Sequence, residues 1–153
     1  MGAFGYVLDL VTKVLALTYL DPSDPPRFLG GLLTFRLTRN PGAAFSMGES
    51  LTVVLTIIAA SALAGLLFWV LPRVRHAGWT VAAGFLLAGI LGNLTDRLFR
   101  EPGFARGHVV DFIQLPYFAI FNVADMFITF AAVIVVWLTV ITKVGMDGRR
   151  IDG

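Results

Sequence analysis

Long, mainly apolar runs alternate with short polar segments along the chain. A helix needs about 20 mainly apolar residues to cross the hydrocarbon core of a bilayer. Four runs meet this requirement, and they predict membrane helices at about residues 2–20, 51–71, 78–98 and 120–143. The first run contains Asp9 and Lys13, whereas the second contains no charged residue. The pattern therefore predicts an all-α bundle of four transmembrane helices in a single membrane domain, residues 1–153.

A different pattern follows the first helix. Residues 21–26 hold three prolines and cannot continue a helix, because proline lacks the amide hydrogen that a helix needs. Polar and apolar side chains then alternate between residues 34 and 38, which is typical of a strand with one wet face. We expect a small extramembrane β-sheet at about residues 27–46, between helices one and two.

Residues 99–119 contain glycines and prolines and are predicted to form a loop between helices three and four. Four helices place both chain ends on one side of the membrane, and this loop and the expected sheet on the other. Basic residues flank both sides, so the positive-inside rule does not decide which side is cytoplasmic.

Composition supports a membrane protein and removes several kinds of chemistry. Hydrophobic residues make up 57% of the 153 residues and charged residues only 14%, whereas soluble domains are about a quarter charged. The absence of cysteine excludes disulfides, iron–sulfur clusters, thiolate zinc sites and cysteine nucleophiles. The net charge of +2 comes from scattered residues, which favours membrane-flanking positions over a nucleic-acid partner.

Asp111 and Asp125 are the strongest candidates for chemistry. Asp111 lies among valine, phenylalanine and isoleucine, and Asp125 stands at the head of the uncharged run 126–142. A carboxylate at a membrane boundary is costly, because the bilayer cannot solvate its charge. Two neighbouring carboxylates cannot both ionise cheaply, so such a pair keeps one proton. The ionised partner could then activate a water molecule while the protonated partner polarises a carbonyl.

Two further polar groups have two interpretations each. Asn93, Asp96 and Arg97 share one helical face. They are either an interfacial helix end with a snorkelling arginine or a shelf that orients a substrate, and we favour the shelf. Asp9 and Lys13, four residues apart, can form an ion pair that either only anchors the first helix or also supports the site.

Four motifs, in order and in register with the helices, resemble the lipoprotein signal peptidase (signal peptidase II) family. They are Asn-Pro-Gly-Ala-Ala-Phe-Ser at 40–46, Gly-Asn-Leu-Thr-Asp-Arg at 92–97, Val-Val-Asp-Phe-Ile at 109–113 and Phe-Asn-Val-Ala-Asp at 121–125. The resemblance implies that Asp111 and Asp125 are the catalytic dyad. It implies substrate-binding or supporting roles for Asn40, Gly42, Asn93, Asp96, Arg97, Asn122, Ala124, Asp9 and Lys13. Leu10 departs from the family pattern, which usually has glutamine there.

The resemblance also implies the activity. It is that of an aspartic endopeptidase of the bacterial inner membrane, which removes the signal peptide from diacylglyceryl-modified prolipoproteins on the N-terminal side of the lipidated cysteine. The termini would be cytoplasmic and the active site near the periplasmic face. The expected partners are lipid-modified prolipoproteins and membrane lipids, without nucleic acid, metal or cofactor, and the protein is expected to be a monomer.

Three other functions fit parts of the sequence. A proton-coupled transporter or channel subunit would explain intramembrane acids, but it predicts acids near mid-bilayer and an internal repeat. A purely structural membrane protein explains the hydrophobicity and leaves the polar clusters unexplained. A metal hydrolase could use His108 and Asp111, but the other histidine, His76, is predicted on the opposite side of the membrane.

Overall fold

Four helices dominate the computed structural model, which describes residues 1–42 and 49–151. Within that part of the chain, the helices long and apolar enough to cross a membrane are Gly2–Tyr19, Leu51–Arg73, Ala77–Phe99 and Val123–Ile141. Their 18 to 23 residues correspond to about 27 to 35 Å of helix, and the hydrocarbon core is about 30 Å thick. The predicted four-helix membrane architecture is confirmed.

The regular elements are named in chain order. The helices are α1 Gly2–Tyr19, α2 Glu49–Gly65, α3 Ala77–Phe99 and α4 Val123–Val136. The second and fourth helices continue into single π-helical turns, Leu66–Val70 and Trp137–Ile141. The strands are β1 Arg27–Phe28, β2 Leu33–Asn40 and β3 Val109–Gln114.

The three strands form one antiparallel sheet in the order β1-β2-β3. The register of β2 with β3 shifts between Phe35 and Thr38, and beyond this irregularity Thr38 lies opposite Asp111 and Asn40 opposite Val109. The small sheet that the sequence predicted is confirmed. Residues 43–46 of its predicted span lie outside the described residues.

The prediction of an unbroken loop at 99–119 was wrong, because this segment supplies β3. The first four residues of β3 are all buried, since α1 covers one face of the strand and the polar site the other. The sequence therefore lacks the polar–apolar alternation of a half-exposed strand. Helix four begins at Val123, three residues later than predicted, because Asn122 caps it.

The packing of α1 is inverted relative to a helix of a soluble protein. Its buried residues are Gly5, Asp9, Lys13 and Ala16, which form one stripe along the helix. Its large apolar side chains, among them Phe4 and Val11, are exposed on the surface that a membrane would cover. The charged pair therefore faces the interior of the bundle, where polar partners can reach it.

Small residues let α1, α3 and α4 approach one another closely. A Cβ atom on Gly89 of α3 would lie 2.6 Å from the carbonyl oxygen of Ala124. A Cβ atom on Gly5 of α1 would lie 2.9 Å from the Cβ of Ala88. Such contacts are typical of membrane helices, which associate by close packing rather than by hydrophobic burial. They bring the polar residues of three helices within hydrogen-bonding distance.

Candidate active site

Asp111 lies buried on β3, with only 2% of its surface exposed. Its neighbours Val110 and Phe112 pack with Ala16 of α1 in an apolar cluster. Because successive side chains of a strand point to opposite faces, Asp111 faces away from that cluster. The strand is therefore held by apolar contacts on one face and presents a carboxylate on the other.

Asn122 and Asp125 form a reciprocal cap at the start of α4. The Asn122 side chain accepts a hydrogen bond from the Asp125 backbone N–H (3.1 Å), and the Asp125 carboxylate accepts one from the Asn122 backbone N–H (3.1 Å). The fully buried Asn122 also donates from Nδ2 to Asp111 Oδ1 at 2.6 Å. One amide therefore binds Asp111 directly and fixes the helix turn that carries Asp125.

Asn40, at the end of β2, holds the other oxygen of Asp111. Its Nδ2 donates to Asp111 Oδ2 at 2.8 Å, and its Oδ1 accepts the backbone N–H of Gly42 at 2.9 Å. Gly42 has φ of +109°, a conformation that favours glycine. The rest of the predicted motif, residues 43–46, lies outside the described residues.

The environment of Asp111 favours its protonated form. Burial raises the pKa of Asp111 to about 6, and repulsion from the Asp125 carboxylate adds to this effect. The hydrogen bonds from Asn40 and Asn122 and the charge of Lys13 act in the opposite direction. A raised pKa that has burial and a second carboxylate as its causes is typical of a pair that shares a proton.

Asn93 of α3 connects Asp125 to a buried lysine. Its Nδ2 donates to Asp125 Oδ1 at 2.8 Å, and its Oδ1 accepts from Lys13 Nζ at 3.0 Å and from Asn122 Nδ2 at 3.1 Å. The Lys13 side chain is fully buried. The candidate supporting residues of the first, third and fourth helices thus belong to one hydrogen-bond network.

Lys13 is neutralised by two carboxylates. Its Nζ lies 2.8 Å from Asp9 Oδ2 and 2.9 Å from Asp96 Oδ2, and both aspartates are fully buried. Asp96 also binds the guanidinium of Arg100 and accepts the backbone N–H of Val110 at 3.1 Å. Asp96 therefore ties α3 both to α1 and to the strand that carries the site.

Asp9 supports the helix that carries Asp125. Its Oδ1 accepts the backbone N–H of Ala124 at 2.8 Å. Gly92 of α3 leaves space for this contact, since a Cβ atom there would overlap the Asp9 carboxylate. The Asp9–Lys13 pair therefore anchors α1 and also contacts residues that hold Asp125, and its supporting role in a reaction stays a prediction.

Arg97 is the charged donor that faces the candidate dyad. Its half-buried guanidinium interacts electrostatically with Asp111, Asp125 and Asp96. Its Nη1 atom is buried and has no hydrogen-bond partner among residues 1–42 and 49–151. The arrangement favours the interpretation of the 93–97 face as a shelf with a donor to offer a polar ligand.

Sequence reasoning missed three contributors to the site. Arg100, Gly92 and the backbone N–H of Val110 act on Asp96 or Asp9 rather than on the candidate dyad. The four-residue spacing of Asp96 and Arg100 is the sequence signal that could have identified Arg100. Among the described residues, no three histidine, aspartate or glutamate side chains lie where they could hold a metal ion. His108 and Asp111 therefore have no third ligand in that part of the chain.

Comparison with known proteins assigns a family to this arrangement. The family model described as "Signal peptidase (SPase) II" matches residues 2–141. A lipoprotein signal peptidase of Leifsonia xyli is 45% identical over 95% of this chain and 67% of its own length. The lipoprotein signal peptidases of Mycobacterium avium (46%, over 87% and 72%) and Mycobacterium tuberculosis (44%, over 94% and 71%) are similarly related.

Solved structures share the architecture. One, described as a bacterial membrane enzyme, has a TM-score of 0.80 at 28% identity and covers 92% of this chain and 90% of its own. A second with the same description has a TM-score of 0.69 at 30% identity, over 88% and 82%. The fold of four membrane helices and a small sheet is therefore that of known bacterial membrane enzymes.

Proposed function

The chain belongs to the signal peptidase II family of bacterial multi-pass membrane proteases, which remove signal peptides from prolipoproteins, and we propose that Asp111 and Asp125 are its catalytic dyad. The observation that carries the proposal is the position of Asn122. It donates to Asp111 at 2.6 Å and caps the helix turn that carries Asp125. Both carboxylates are thereby held in fixed positions beside each other.

The two aspartates have different protonation states in this proposal. Asp111, with its pKa raised to about 6, holds the shared proton. Asp125 accepts two N–H donors at the positive end of α4, which suits the ionised partner. Such a pair provides a general base and a general acid without a metal or a cofactor.

Hydrolysis then follows from these roles. Asp125 takes a proton from a water molecule, whose oxygen bonds to the scissile carbonyl carbon while Asp111 donates its proton to the carbonyl oxygen. The carbon–nitrogen bond breaks as the amine takes up the proton held by Asp125, and the oxygen returns its proton to Asp111. Arg97, whose buried Nη1 has no hydrogen-bond partner among the residues that the structure describes, could orient the substrate backbone.

The location of the dyad fits a lipid-modified substrate. Asp125 lies at the start of a membrane helix and Asp111 in the sheet that connects to the helix ends. Diacylglyceryl chains can remain in the hydrocarbon while the bond before the lipidated cysteine reaches water at the interface. We place this interface at the periplasmic face, with cytoplasmic termini, and take the enzyme to act as a monomer on membrane-embedded prolipoproteins.

The experiment is cleavage of a diacylglyceryl-modified prolipoprotein by the purified protein, followed by mass spectrometry. The wild-type protein should release the signal peptide, whereas Asp111→Asn and Asp125→Asn should each lose activity by several orders of magnitude and remain folded. Asp24→Asn makes the same substitution at an exposed residue and should cleave at the wild-type rate. Wild-type turnover by either dyad variant would refute the assignment.

A further inference from the structure

The side-chain amides of the site have directions that chemistry alone determines. A lysine ammonium and a backbone N–H can only donate, so the amide atom that faces either of them is the oxygen. Asn40 Oδ1 faces the Gly42 N–H, Asn122 Oδ1 faces the Asp125 N–H, and Asn93 Oδ1 faces Lys13 Nζ. Each of the three amides therefore turns its NH₂ group toward a carboxylate of the dyad.

Among the three, Asn93 is the amide whose direction depends on a charged side chain. Lys13 has three N–H donors, and three acceptors surround its Nζ: Asp9 Oδ2 at 2.8 Å, Asp96 Oδ2 at 2.9 Å and Asn93 Oδ1 at 3.0 Å. The two carboxylates form ion pairs with the ammonium, and its Nζ donates a hydrogen bond to Asn93 Oδ1. Such an arrangement exceeds what an ion pair needs to anchor a helix.

We propose that Lys13 is a positioning residue, which acts through the Asn93 amide to keep Asp125 in the ionised form that serves as general base. The proposal rests on the proposed dyad. It names Lys13 as the physical cause of the charge on Asp125. The positive charge of Lys13 polarises the Asn93 amide and strengthens the 2.8 Å hydrogen bond from Nδ2 to Asp125 Oδ1. Asn122 supports the same direction of the amide by donating to Asn93 Oδ1.

Several charged side chains, Lys13 among them, lie around Asp125. They are Asp9 and Lys13 of α1, Asp96, Arg97 and Arg100 of α3, and Asp111 of β3. Lys13 differs from Arg97 in that it is fully buried and connected to Asp125 by a continuous pair of hydrogen bonds. Variants of the Asp9–Lys13 pair leave Arg97 and Asp111 in place, and a difference between two variants that share Asp9→Asn can be assigned to position 13.

Two double variants test the proposal without leaving an unpaired buried charge. Asp9→Asn/Lys13→Met removes one negative and one positive charge, and Asp96 keeps Arg100 as its partner. In the wild-type protein, Asp9 Oδ1 accepts the backbone N–H of Ala124. The asparagine side chain of Asp9→Asn retains an oxygen that can accept the same N–H. Asp9→Asn/Lys13→Gln also removes both charges but retains a neutral donor for Asn93. Each double variant is also compared with the wild-type protein, so a test remains if one of the two fails to fold.

The matched control is Tyr6→Phe. It removes a hydrogen bond of 3.0 Å between Tyr6 and Thr95, which also connects α1 with α3 but touches no residue of the network. All three variants should lower the melting temperature. Only the two double variants should change the protonation of Asp125.

The readouts are the pH dependence of kcat/KM and the infrared carbonyl band of protonated Asp125, identified by its loss in Asp125→Asn. In the methionine variant, the acidic limb of the activity profile and the appearance of the band should move to higher pH, since Asn93 is no longer polarised by a buried positive charge. The glutamine variant should move less and Tyr6→Phe not at all.

The results separate this proposal from the proposed function. An unmoved acidic limb and an unmoved infrared band in both double variants, with lowered melting temperatures, would make Lys13 a purely structural anchor and overturn the inference. Activity that persists in Asp125→Asn would instead overturn the dyad. The infrared band reports on Asp125 even if a variant is inactive, so the two failures cannot be confused.

Discussion

The substitution Asp111→Asn should remove a specific part of the pH dependence of stability. Burial and the Asp125 charge raise the pKa of Asp111 from 3.8 to about 6. The folded protein thus binds this proton more tightly than the unfolded chain does, and protonation stabilises the fold. The contribution is complete below pH 3.8 and is lost as the pH rises through 6.

The magnitude follows from the size of the shift. Two pH units of difference between the folded and unfolded chains correspond to about 3 kcal/mol in the free energy of unfolding. For a chain of this length, this free energy corresponds to about 6 to 12 °C in melting temperature. Wild-type protein should therefore lose stability relative to Asp111→Asn between about pH 4 and 6.5.

Thermal unfolding in detergent, followed by tryptophan fluorescence from pH 4 to 7.5, measures this difference. The asparagine of Asp111→Asn does not titrate. Its NH₂ group faces one of the donors Asn40 and Asn122, and this unfavourable contact lowers the melting temperature by the same amount at every pH. The argument therefore concerns the slope and not the absolute melting temperature. Asp24→Asn should follow the wild-type curve. Parallel curves for wild type and Asp111→Asn would show that Asp111 does not hold a proton in this range.

Two further substitutions test packing, one beside the candidate site and one at the opposite end of α3. Gly92→Ala should lower the free energy of unfolding by about 1 to 3 kcal/mol, because its Cβ would overlap the Asp9 carboxylate. The control is Gly65→Ala, where a Cβ meets no atom within 4 Å. This control should be neutral or stabilising in the same thermal assay. Trp79→Phe removes the 2.9 Å hydrogen bond from Nε1 to the Val144 carbonyl, so limited proteolysis should cut beyond α4 faster while cleavage of prolipoprotein is unchanged. Equal proteolysis rates would contradict the second expectation.

The sequence predicts the helices well because the bilayer imposes a strong constraint. An uncharged run near 20 residues long admits few structures other than a spanning helix. The third strand escaped prediction because Val109–Gln114 is covered on both faces and lies between segments rich in glycine and proline. Its one charged side chain, Asp111, is more typical of a loop than of a buried strand.

The sequence predicted on which side of the membrane the candidate site lies. It did not predict the hydrogen bonds that connect the residues of the site. Counting helices placed Asn40, Asn93 and the two aspartates on one side of the membrane. The contact of Lys13 with Asn93 spans 80 residues of sequence, and the contact of Asp9 with Ala124 spans 115. No local pattern encodes such distant partners, so the direction of each amide became visible only in the folded structure.

The inward-facing charges of α1 add a cost to its insertion into the membrane. The partners of Asp9 and Lys13 are synthesised 80 to 115 residues after them. A charged residue at the centre of a lone membrane helix costs about 2.5 to 3.5 kcal/mol on insertion, part of which their mutual pairing offsets. Helix α1 therefore gains stability in the membrane when α3 and the start of α4 pack against it. Because Asn93 and Ala124 also hold the helix turn of Asp125, the same packing step that buries Asp9 and Lys13 would set the geometry of the proposed dyad.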